Sequence, residues 1–131
     1  MLLEKDSRDD EATCLGVATA CDAASGLQSY EGNAKVWVLR CYNGTLYSRG
    51  AGGGSASERK VHPGDRVRFS LDRRRAQLSA TIVRKDGGER RELGAIFTTL
   101  PPPPEKLYPL VVFYSGGARA VRLTHLSLIH I

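Results

Sequence analysis

The stretch "RVRFSLDRRRAQLSATIV" (residues 66–83) decides the fold, because both of its ends carry a period of two. Val67, Phe69 and Leu71 alternate with Arg66, Arg68, Ser70 and Asp72, the pattern of a strand with one face buried. Leu78, Ala80 and Ile82 alternate in the same way with Gln77, Ser79 and Thr81. Residues 72–75 between the two runs are polar, so an antiparallel hairpin with a polar tip is expected.

Working outward, short strands are expected at "CLGVATA" (14–20), "KVWVLRC" (35–41), "TLYS" (45–48), "LGAIF" (93–97), "YPLVVFY" (108–114) and "RAVRLT" (119–124). Gly, Pro and Ser clusters separate them at the spacing of a sandwich or barrel, and no window longer than about ten residues sustains a helical repeat. The fold class is all-β. Asn43-Gly44 between two β-rich runs predicts a two-residue type I′ hairpin turn. Asn43 to Thr45 also spell an N-glycosylation acceptor, but the start "MLLEKDSRDD" turns acidic after two leucines and has no export signal, so the turn reading is preferred. "KDGG" (85–88) predicts another turn, and "GAGGGSAS" (50–57) a surface loop inside one domain. Trp37 alternates with Val36 and Val38 and is expected to fill the space between sheets.

A chain of 131 residues with 41% apolar and 25% charged residues supports one core and one domain. No run approaches the length needed to cross a bilayer, and a cytoplasmic or nuclear setting is expected. Cys14, Cys21 and Cys41 are odd in number and lack metal-ligand spacing, which points to buried thiols rather than disulfides or zinc. His62 precedes Pro63, His125 and His130 lie near the end, and no triad, carboxylate pair or phosphate-cradling GxxxxGK loop occurs. Neither catalysis nor a cofactor is expected. The last six residues, "LSLIHI" (126–131), resemble a translated sequencing-library adapter and carry no functional argument.

The order of motifs adds a resemblance. "LGVATA", "YEG" (30–32), "VW" (36–37), "YNGTLYSRG", "GDRVRFSLDRRRAQLSATI", "LGAIFTTLP" and "LYPLVVFYSGGARAVRL" together resemble the SPRY (B30.2-type) domain. The likeness implies an antiparallel sandwich over residues 13–125, preceded by a poorly defined lead (1–12) in which the family's opening strands are missing or reduced. It implies a binding module whose loops at one end take a partner protein or peptide, within an adaptor or ubiquitin-ligase-type protein. On matching positions, Thr19, Tyr30, Tyr114, Ser115 and Gly116 would line that pocket. The net charge of +5 and the hairpin-tip arginines Arg73, Arg74 and Arg75 suggest a basic edge. Nucleic-acid binding is the rival reading. It is weakened because no aromatic residue stands among the arginines on the outward strand face. A second rival is a non-catalytic fragment of a larger enzyme.

Overall fold

The structure is a computed structural model, and it describes residues 2–5, 13–19, 35–49, 51–85, 89–113 and 120–122. Among the described residues ten strands form two antiparallel sheets: β1 (Leu2–Lys5), β2 (Thr13–Ala18), β3 (Val36–Arg40), β4 (Leu46–Ser48), β5 (Ala51–Gly52), β6 (Arg66–Asp72), β7 (Gln77–Val83), β8 (Arg90–Phe97), β9 (Tyr108–Phe113) and β10 (Ala120–Arg122). One sheet has the order β10-β1-β6-β7-β8 and the other β5-β4-β3-β2-β9. Each strand expected from the sequence is present. Two strands are additions: β1 lies between β10 and β6, where the sequence offered only an undefined lead, and β5 pairs with β4 inside the 50–57 stretch read as a surface loop.

The hairpin that decides the fold forms as its alternation requires. β6 and β7 pair from Arg66↔Val83 to Asp72↔Gln77, so Val67, Phe69 and Leu71 face inward with Leu78, Ala80 and Ile82. The connection is residues 73–76, one position later than expected, and Ala76 closes it with a φ of 54°. β6 is framed by the turn before it. Asp65 is buried, and its carboxylate accepts bonds from the His62 amide (2.9 Å), the Lys85 amide (3.0 Å) and the Arg84 guanidinium (2.8 Å). The Gly-Asp pair before this strand is therefore a structural clamp holding the start of β6 to the end of β7.

The hairpin at Asn43-Gly44 is real, but its turn type differs from expectation. Leu39↔Leu46 is the last strand pair and the Arg40 amide donates to the Thr45 carbonyl at 2.9 Å, leaving a four-residue connection, 41–44. Gly44 takes a left-handed φ of 72°, whereas Asn43 does not, so the turn cannot be type I′, which needs both. The cause is tertiary. Cys41 is buried and bonded through its amide to Thr13 and through its carbonyl to Val61, and the Asn43 side chain accepts the Thr45 amide at 3.0 Å. These bonds hold the chain in a wider loop than the dipeptide alone would choose.

Between the sheets lie two contiguous apolar groups. Leu15, Leu39, Cys41, Val61, Val67, Ala80 and Ile82 fill one end, and Val17, Trp37, Leu78, Phe97 and Leu100 the other. Trp37 is 1% exposed and occupies the space between sheets as expected. The opposite face of the β2-β3 sheet is also buried, through Cys14, Ala18, Val36, Val38, Tyr47 and Val112. This explains why β2 and β3 read as continuous apolar runs rather than alternating ones. At the edge, β8 takes two register shifts against β7. Phe97 and Ala95 face consecutive residues of β7, as do Gly94 and Glu92, so Ile96 and Leu93 are extra residues. Both pack on the core instead of standing in solvent, and Gly94 supplies the left-handed φ of 70° between them. The bulges also roughen an edge that would otherwise invite strand addition. Cys14 and Cys41 are buried, as expected; Cys21, the 86–88 turn and residues 126–131 lie outside the described residues.

Candidate functional site

β2 runs between two loop-bearing ends, and its pairing fixes which loops share each end. At its C-terminal end Ala18 pairs with Val36 and Tyr108, and the Thr19 amide donates to the Lys35 carbonyl at 2.9 Å. The β2–β3 connection that contains Tyr30 therefore leaves and returns at this end; Tyr30 itself lies outside the described residues. The second apolar group, with Val17, Trp37, Leu78, Phe97 and Leu100, underlies the same end and brings in the 73–76 turn and the 98–107 segment of the other sheet.

These two loops are tied together. The Leu100 amide donates to the Ala76 carbonyl at 3.0 Å, and the Arg73 guanidinium donates to the Pro101 carbonyl at 3.1 Å and to the Glu105 carbonyl. Arg73 thus spends its donors inside the fold. Arg75 sits 3.8 Å from Asp72 in an exposed pair, and Arg74 is exposed with no partner among the described residues. The three arginines differ in their bonding: Arg73 braces two loops, Arg75 pairs with Asp72, and Arg74 has no partner among the described residues. Pro101 to Pro104 form the outside of the braced segment, in keeping with a rigid connection.

Arg49 completes this end, and the sequence did not single it out. It follows β4 directly after Ser48, which pairs with Trp37, and its guanidinium lies 5.9 Å from the Trp37 ring centroid. It holds a left-handed φ of 55°. Arg49 and Ala76 are the two non-glycine residues with positive φ among those described, and both belong to this end. Each such residue costs about 1 kcal/mol, and such strain concentrates where loops are held for a purpose. Beneath Arg49, the Trp37 indole Nε1 is buried and has no hydrogen-bond partner among the described residues.

The other nominated residues follow β9. β9 ends at Phe113, paired with Thr13, so the chain leading to Tyr114, Ser115 and Gly116 departs from the opposite end of β2, about 17 Å of strand away from Ala18. Those three residues lie outside the described residues, and no described backbone brings them to Thr19. At that far end the structure adds Tyr42, the exposed aromatic of the 41–44 loop, whose ring lies 5.6 Å from the Arg40 guanidinium. A recess of about 280 Å³ is lined, among the described residues, by Glu58, Arg59, Arg91, Glu92, Leu93 and neighbours, and Thr19, Arg73, Arg74 and Arg75 are not part of that lining. Among the described residues there is no cluster of metal-ligating side chains, and no helix long and apolar enough to cross a membrane.

The described residues thus form an antiparallel sandwich whose Thr19 end carries two loops braced by Arg73 and the exposed Arg74. No protein-family model matches the chain, and no curated protein does. Among solved structures it is similar to the SPRY domain of human HERC1, with a TM-score of 0.65 and 26% sequence identity. The match covers 88% of this chain and 65% of that one, so this chain spans just under two thirds of the relative's length. The chain shares the antiparallel sandwich fold of that domain, which supports a SPRY-type domain and, in general terms, a protein-interaction module.

Proposed function

We propose that this SPRY-type sandwich recognises a partner protein or short peptide through the loops at the Thr19 end. Tyr30 is the central aromatic contact, because Tyr offers large contact area at low entropy cost together with a hydroxyl. Thr19 supplies a hydroxyl at the base of the same loop, and Arg74 and Arg49 bias the site toward acidic groups. Tyr114, Ser115 and Gly116 form a second contact stretch. The module belongs to a larger adaptor or ubiquitin-ligase-type protein of the cytoplasm. The observation that carries the reading is the likeness to a SPRY domain over most of the chain. The pairing of two loops by Arg73 supports it, since a binding end gains affinity when its loops are already ordered.

The test is selection of peptides from a random display library against the chain, followed by measurement of the best binders on single variants. Tyr30→Ala is expected to abolish selection of sequence-specific peptides while leaving the thermal midpoint unchanged. Peptides that bind Tyr30→Ala as tightly as the parent chain would remove the Thr19 end from the proposal, and Tyr114→Ala then decides whether the far end is the site.

A further inference from the structure

The arginines of this chain sort by partner. Arg73, Arg75, Arg84, Arg91 and Arg59 bond to carbonyls or carboxylates, and Arg40 and Arg49 stand over aromatic rings. Among arginines whose side chains are described, Arg66, Arg68, Arg74 and Arg90 have no such partner. Three of these four fall on one surface, the outward face of the β10-β1-β6-β7-β8 sheet. Arg66 pairs with Val83, which pairs with Arg90, and Arg68 shares the face two residues along β6. Arg122 holds the register position beyond Leu2 in the same transverse row.

We infer that this face is a second docking surface, separate from the loop ends and independent of the reading given to them. Its occupant is an extended acidic segment of a protein, with carboxylates at alternate positions along β6. The spacing carries the match: Arg66 and Arg68 are about 6.7 Å apart along the strand, the repeat of same-side residues in an extended peptide, and Arg90 lies about 9.6 Å across the sheet. Like charges this close, within about one screening length, repel one another until an anion lies between them. The neighbours Ser70, Ser79 and Thr81 are small, so the guanidinium groups are not covered, and their hydroxyls can donate to carboxylates. No described residue of this face is aromatic, and Glu92 interrupts the positive charge beside Thr81, which removes both base stacking and a continuous phosphate track.

The experiment uses the 131-residue chain and a fluorescent peptide of about twelve residues alternating Glu and Thr, with its Gln-for-Glu counterpart as control. Saturable, salt-sensitive binding of the Glu peptide is expected. Arg66→Gln/Arg68→Gln/Arg90→Gln should weaken it about tenfold, while Arg91→Gln, at the β8 position opposite Ile82 and paired with Glu89, leaves it unchanged. Amide shifts in the unaltered chain should fall on β6, β7 and β8, which keeps the test decisive should the triple variant fold poorly. Equal weakening by Arg91→Gln, shifts confined to the loop ends, no saturable binding, or tighter binding of a single-stranded oligonucleotide of equal charge would each overturn the inference.

Discussion

Replacing Asp65 by Ala tests whether the Gly-Asp turn is the clamp that the geometry makes it. The side chain is 3% exposed, and its two oxygens accept three bonds, from two backbone amides and from Arg84 at 2.8 Å. The substitution strands both amides and leaves a guanidinium that is only 23% exposed without its carboxylate. Breaking a buried pair in this way costs about 3–5 kcal/mol. Arg84 keeps its bond to the Lys60 carbonyl at 2.8 Å, so the lower end, about 3 kcal/mol, is expected. For a chain of this length that corresponds to a fall of roughly 10 °C in the thermal midpoint. Urea unfolding followed through the fluorescence of Trp37, the chain's single tryptophan, measures the loss directly. Arg84→Met should cost less than Asp65→Ala, because Asp65 then keeps its two amide donors, and the double variant should cost less than the sum of the two. A loss under about 1 kcal/mol for Asp65→Ala, or strict additivity with Arg84→Met, would refute the clamp.

Other perturbations probe the turn, the core and the site. Gly44→Ala should lose about 2 kcal/mol in urea unfolding, since φ is 72° and an added Cβ would meet the Ala56 carbonyl and Arg59 Cβ. Trp37→Phe should cost only about 1 kcal/mol in the same assay, well below the usual penalty for shrinking a core aromatic, because it also removes a buried N–H that has no partner among the described residues. Arg73→Ala should speed hydrogen exchange at the Leu100 amide, by freeing the 98–107 segment from the 73–76 turn, while the β2 and β3 amides stay protected.

Much of the fold was legible because period-two patterns survive wherever one strand face meets the core and the other meets water, as in β6 and β7. β2 and β3 are buried on both faces, so their apolar runs revealed strands without revealing which side faced which sheet. The Asn43-Gly44 turn was located correctly but mistyped, since Cys41 and Asn43 are bonded to Thr13, Val61, Ala56 and Thr45, contacts that no dipeptide rule contains. Site residues were harder. The motif order nominated Thr19 and Tyr114 for one pocket; the β2–β9 register, set by tertiary pairing, puts Ala18 beside Tyr108 and Thr13 beside Phe113, while Tyr114 itself lies outside the described residues. A run of three arginines likewise looked uniform, although Arg73 alone has carbonyls within reach.

The central claim is that the loops at the Thr19 end recognise a partner through Tyr30. Its most direct measurement is the affinity of a library-selected peptide for the parent chain and for Tyr30→Ala, taken together with both thermal midpoints. The account predicts weakening of about thirtyfold, the loss of about 2 kcal/mol typical of a hot-spot aromatic, with unchanged midpoints. Unaltered affinity, or a loss that merely follows a fallen midpoint, would contradict it.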